Sequence, residues 1–127
     1  AGDDLALFAG LDDLVVEAVA LGARGWVAGL VNAIPRESVR LFETARRGDV
    51  VHTRELYEWL LPLLRLDTVP EFVQLIKLVQ TECGVGNERV RAPRRPVTGK
   101  LREATLETIR TARAHPPATL DDGVRTA

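Results

Sequence analysis

The chain contains no methionine, a single cysteine and two lysines, and its aromatic content is 5%. Without methionine there is no internal start. A chain that opens on Ala1 is therefore expected to be a processed product or a piece of a longer reading frame. Cys83 has no partner for an internal disulfide and no zinc-type spacing around it, which points to a reducing, cytoplasmic compartment. Lys+Arg 17 against Asp+Glu 18 leaves a net charge of -1. That balance implies neither general nucleic-acid binding nor an acidic tail. No apolar run is long enough to span a bilayer, and no basic segment leads into an apolar core at the start, so neither a membrane nor a signal peptide is expected.

What is present is 46% hydrophobic and 28% charged, a globular balance over a length that suits one domain or part of one. The first third reads as two βα units. Residues 5–9 are a short apolar run. Gly10 then allows a tight turn, and Asp12 can cap the helix that follows. Leu14, Val15, Ala18 and Val19 share a face at helical spacing, and Gly22 closes the helix. Residues 26–31 are apolar except for their glycine, and continuous apolarity marks a strand covered on both faces. Asn32 stands at its tip. Pro35 opens a helix with Val39, Phe42 and Ala45 inward, stopped by Gly48.

The remainder reads as helical. Asp49 caps a helix that carries Leu56, Trp59, Leu60, Leu63 and Leu64 on one side, with a kink at Pro62. Pro70 starts another, with Phe72, Val73, Ile76 and Val79 inward and Gly84 at its end. Residues 85–99 carry prolines and arginines and read as an extended connection. A last helix runs through Leu101, Leu106 and Ile109. The domain plan is thus 1–48 for two βα units, 49–114 for a C-terminal helical block and 115–127 for a disordered tail. Two strands do not make a stable parallel sheet alone. More βα units are expected upstream, in a barrel or an open doubly wound sheet.

These stretches resemble one family. Phe8-Ala-Gly-Leu-Asp-Asp13 is similar to the Gly-x-Asp segment after the seventh barrel strand of the dihydrodipicolinate synthase / N-acetylneuraminate lyase family. Gly22-Ala-Arg-Gly-Trp-Val-Ala-Gly-Leu-Val-Asn32 resembles its eighth strand, and residues 35–49 its eighth helix. Val90-Arg-Ala-Pro-Arg-Arg-Pro-Val97 resembles its Arg-x-Pro loop. Residues 26–32 and 66–70 look most like a branch of 1-pyrroline-4-hydroxy-2-carboxylate deaminases, enzymes of hydroxyproline breakdown. The resemblance implies an α/β fold: the C-terminal fragment of a (β/α)8 TIM barrel, its last two βα units plus a C-terminal helical block, mostly helical as a fragment.

The same resemblance implies a lyase or deaminase of the class I aldolase type. In that family a lysine forms a Schiff base with a small 2-oxo acid or cyclic imino acid, with no cofactor and no metal, in homodimers or homotetramers. The lysine would lie upstream of Ala1, since Lys77 and Lys100 fall in helices. No catalytic residue is expected in this fragment, which should be inactive alone. The resemblance places Gly10, Asp12, Val27, Ala28 and Gly29 on one wall of the substrate pocket. Val27 would turn a backbone carbonyl toward the Schiff base, and Ala28 and Gly29 would leave room above it. Leu11 departs from the family's acid at that position, which speaks against a dihydrodipicolinate synthase proper.

Simpler roles stand beside these. Asp12 reads as a helix cap before it reads as a ligand. Gly10 and Gly29 can serve packing, Asn32 a turn, and Trp26 the core. His52 is expected to be solvated without a partner, and Cys83 to be a helix-end residue. The arginines of residues 89–102 have acids nearby and sit in a proline-led loop, so a solvated loop, or a loop paired with the barrel's base, is expected rather than a nucleic-acid strip. A second overall reading is a stand-alone helical interaction or regulatory module without catalysis. The apolar run 26–31 speaks against it, because nothing in the chain covers both edges.

Overall fold

The computed structural model describes residues 4–123 of the chain. Strand β1 (Phe8–Ala9) pairs in parallel with β2 (Gly25–Trp26), Phe8 opposite Gly25 and Ala9 opposite Trp26. Helix α1 (Val15–Ala20) connects them, entered through a 3-10 turn over Asp12–Leu14. After β2 come α2 (Pro35–Arg46), α3 (Val50–Leu64), α4 (Phe72–Glu82) and α5 (Gly99–Ala114). The architecture is two βα units leading into a helical block.

Local chemistry explains the boundaries. Gly48 takes φ 73°, so its N–H reaches the Ala45 carbonyl and that of Asp49 reaches Thr44, closing the end of α2. The Asp49 carboxylate then accepts the backbone N–H of His52 at 3.3 Å and caps α3, as expected. Its other oxygen lies 2.6 Å from His52 Nδ1, so His52 has the partner the sequence did not suggest. Helix α3 continues to Leu64 past Pro62, which falls in the last turn, and a 3-10 turn (Arg65–Thr68) follows.

The core gathers around α3, which packs against α2 and α5. Leu30, Leu41, Leu56, Leu60, Leu64 and Leu78 are fully buried, each worth about 1.5–3 kcal/mol on removal from water. The apolar face expected of α3 is the observed one. That of α2 is not: Ser38, Leu41 and Thr44 point inward, and Val39 is half exposed. The hydroxyls explain it. Ser38 donates to the Ile34 carbonyl and Thr44 to those of Arg40 and Leu41, so both are buried already satisfied. Leu14 and Phe72, expected inward, are partly exposed, and Leu75 and Leu78 take the inward places on α4.

Two further expectations are corrected. The strands are shorter than residues 5–9 and 26–31: after Trp26 the chain leaves the ladder, and Leu30–Asn32 form a 3-10 turn. The tail expected to be disordered from 115 is structured to its described end. A 3-10 helix occupies Ala118–Gly123. Thr119 is buried, its hydroxyl donating to Glu55 and its carbonyl accepting from Arg40. The rest of that expectation, residues 124–127, lies outside the described residues. Among those described, no helix is long and apolar enough to cross a membrane.

Candidate active-site wall

The two strand ends meet over a buried carboxylate. Asp12 follows the β1 turn and is 0% exposed. Its Oδ1 accepts the indole N–H of Trp26 at 3.1 Å and the backbone N–H of Gly29 at 3.1 Å, and its Oδ2 accepts the backbone N–H of Leu30 at 2.7 Å. These bonds redirect the chain. The Gly29 and Leu30 donors serve the carboxylate rather than a neighbouring strand. Asp12 therefore does not act as the helix cap, since the turn it opens has no side-chain cap. It fastens one strand tip to the other.

A second acid lies beneath it. Asp67, from the 3-10 turn after α3, accepts the backbone N–H of Asp12. Burial pushes the Asp12 carboxyl above its ordinary range, and the Leu30, Gly29 and Trp26 donors pull it partly back. Burial likewise raises Asp67, and the neighbouring Asp12 charge raises it further.

The wall residues divide by side. Gly10 is open: a Cβ there would meet nothing within 4 Å. Val27 is 70% exposed, and its N–H donates to the Ala9 carbonyl at 2.9 Å, which holds it at the strand end. Ala28 lies on the other side. It lines a shallow apolar groove with Trp26, Val31, Val39 and Phe42, as period-2 alternation along an extended segment requires. Gly29 takes the packing role open to it. A Cβ on it would stand 2.8 Å from Asp67 Oδ1 and 2.8 Å from Ile76 Cδ1. Its φ is an ordinary −76°. The missing side chain makes room for the helical block rather than for a substrate. Gly10 and Val27 are what the tips present.

Neither lysine reaches these tips by position: Lys77 is in α4 and Lys100 in α5. Tyr57 is in α3, where its hydroxyl donates to the Asp13 carbonyl and lies 3.0 Å from the Glu17 carboxylate. Burial, then Glu17, pushes its pKa up to about 12. Asn32 donates to the Gly29 carbonyl at 2.9 Å and acts as the turn residue. Cys83 caps the end of α4 and is partly buried, which raises its thiol. No group of three or more His, Cys, Asp or Glu is placed to hold a metal ion among the described residues. Nothing along the sequence signals the Asp67 contact. Its partners lie tens of positions away, and no local spacing encodes them.

Comparison with known proteins identifies relatives of the chain. Residues 1–112 match the model of the dihydrodipicolinate synthetase family. A 4-hydroxy-tetrahydrodipicolinate synthase of Methanopyrus kandleri is 32% identical over 108 residues, covering 85% of this chain and 35% of that protein. The synthase of Thermus thermophilus is 34% identical over 106 residues, covering 81% and 34%. The chain thus spans about a third of the length of the curated relatives it matches. In structure it is similar to the dihydrodipicolinate synthase of Aquifex aeolicus, with a TM-score of 0.79 at 23% identity over 88% of this chain and 38% of that one.

Proposed function

The chain belongs to the dihydrodipicolinate synthetase family, and we propose that it forms the closing wall and the C-terminal helical block of a Schiff-base-forming lyase of the (β/α)8 type. The substrate class is a small 2-oxo acid or the cyclic imine derived from one. The single observation that carries this reading is the strand-tip junction. In such barrels the chemistry is built at the C-terminal ends of the strands. There Asp12 ties β1 to the segment after β2, leaving Gly10 and Val27 exposed.

In this reading the imine-forming lysine comes from barrel strands outside these 127 residues, burial there keeping part of its population neutral. Neither an organic cofactor nor a metal is required. The assembled protein is a cytoplasmic homodimer or homotetramer, and the chain alone is inactive. Within the family, the relatives compared carry the synthase name, so the synthase activity is the first to assay. Leu11, apolar and half exposed where an acid is usual, favours a different partner substrate, and the pyrroline deaminase reaction is the second.

The test is covalent trapping. The longest reading frame that contains this chain is incubated with pyruvate and sodium borohydride, and the product is mapped by mass spectrometry. A single reduced adduct on a lysine outside residues 1–127 is expected. Absence of an adduct with pyruvate and with other 2-oxo acids would remove the reading. In that event the contiguous leucine core of the helical block would favour the interaction module instead.

A further inference from the structure

A groove of about 600 Å³ opens between α4 and the connection that follows it, and it shares no residue with the strand-tip wall. Its polar lining is Lys77, Asn87, Arg89, Arg91 and Arg94, four cations and one amide, with no carboxylate. The chain as a whole has a net charge of -1, so this concentration of one sign does not follow from composition. Nor is it neutralised. None of the four cations forms an ion pair among the described residues. The one acid of the connection, Glu88, is turned to Arg102 at 3.2 Å.

The backbone holds the cations together. Asn87 Oδ1 accepts the Arg89 N–H at 3.1 Å, and the Arg94 N–H donates to the Arg91 carbonyl at 3.0 Å, so a turn brings Arg91 and Arg94 to the same side. Mutual repulsion among four like charges in one concavity is relieved by a bound anion. Guanidinium forks match tetrahedral oxyanions better than single ammonium groups do. No aromatic side chain lines the groove, so it lacks the stacking platform of a single-strand nucleic-acid site.

We propose that this groove binds a small multivalent oxyanion of the phosphate class, held by Arg89, Arg91 and Arg94 together with Lys77. The experiment is isothermal titration calorimetry of the full reading frame with sodium pyrophosphate at fixed ionic strength, with sodium chloride as the comparator. Saturable one-to-one binding is expected. The double variant Arg91→Gln/Arg94→Gln should weaken it by roughly tenfold or more, because both forks are lost. The variant Arg54→Gln/Arg110→Gln removes the same charge from exposed helix-surface pairs and should leave it unchanged. If the first double variant does not fold, Arg89→Gln alone should still weaken binding. Absence of saturable binding, equal losses in the two double variants, or binding of single-stranded DNA that pyrophosphate cannot displace would each overturn the assignment.

Discussion

Trp26 Nε1 donates to the Asp12 carboxylate across 3.1 Å, joining the last residue of β2 to the segment that leaves β1. With the Gly29 and Leu30 amides on the same carboxylate, one side chain holds both strand tips. The wall is therefore set by a buried carboxylate together with the short sheet ladder.

Replacing Asp12 should be costly. Asp12→Ala leaves two backbone donors and an indole without an acceptor, and each buried orphan costs about 1–3 kcal/mol. A loss of roughly 3 kcal/mol or more is expected in urea unfolding. Asp12→Asn keeps one oxygen and should lose less. If Asp12→Ala unfolds with the parent's midpoint, the carboxylate does not hold the tips.

Asp12 and Asp67 should give the stability an unusual pH dependence. Both carboxyls are raised above the ordinary value of 3.8, by burial first. A raised folded value means that their contribution is fully present below 3.8 and is lost as pH rises through the folded values. Asp67→Asn keeps an acceptor for the Asp12 N–H and removes the repulsion. Stability should rise at neutral pH and change little near pH 3, which chemical denaturation across that range reads directly. A gain confined to the acid side would contradict the assignment.

Gly29 should not tolerate a methyl group. In Gly29→Ala the new Cβ meets Asp67 and Ile76 at 2.8 Å each. Asp67 is tethered to the Asp12 N–H, so it does not swing aside freely. A destabilisation of roughly 1–3 kcal/mol is expected, the ordinary range for overpacking. The pair Gly29→Ala/Asp67→Gly should recover part of it. A thermal midpoint unchanged in Gly29→Ala would show that the helical block sits further away.

Tyr57 should anchor α3 to the first βα unit. Tyr57→Phe removes the hydroxyl shared by the Asp13 carbonyl and the Glu17 carboxylate, at a cost of about 1 kcal/mol. In the parent the phenolate absorbance should emerge only near pH 12, since the folded pKa is about 12. Ionisation at an ordinary tyrosine value in the folded protein would show that the hydroxyl is neither buried against the first βα unit nor in contact with Glu17.

Much of the framework was legible because its causes are local. In α3 a leucine or tryptophan recurs at every turn, so Leu56, Trp59, Leu60, Leu63 and Leu64 announce their face. Asp49 and Gly48 mark a helix boundary through bonds to residues three to five positions away. The face of α2 was not legible. Ser38 and Thr44 look polar in sequence, but their hydroxyls are consumed by their own helix and they go inside. His52 looked unpartnered until the capping turn brought Asp49 to its ring.

The sequence by itself determined the order of elements, the helix ends, the leucine core and the resemblance of the strand segments, all of which rest on spacing within a few turns of chain. Only the tertiary structure decided what Asp12 does, why Gly29 must lack a side chain, and which of the tip residues face outward. Those outcomes depend on Trp26, Gly29 and Leu30 reaching one carboxylate, and on Asp67 and Ile76 closing on Gly29, from separate segments. A buried charge takes whatever donors the fold delivers, and the spacing of residues along the chain carries no record of that delivery.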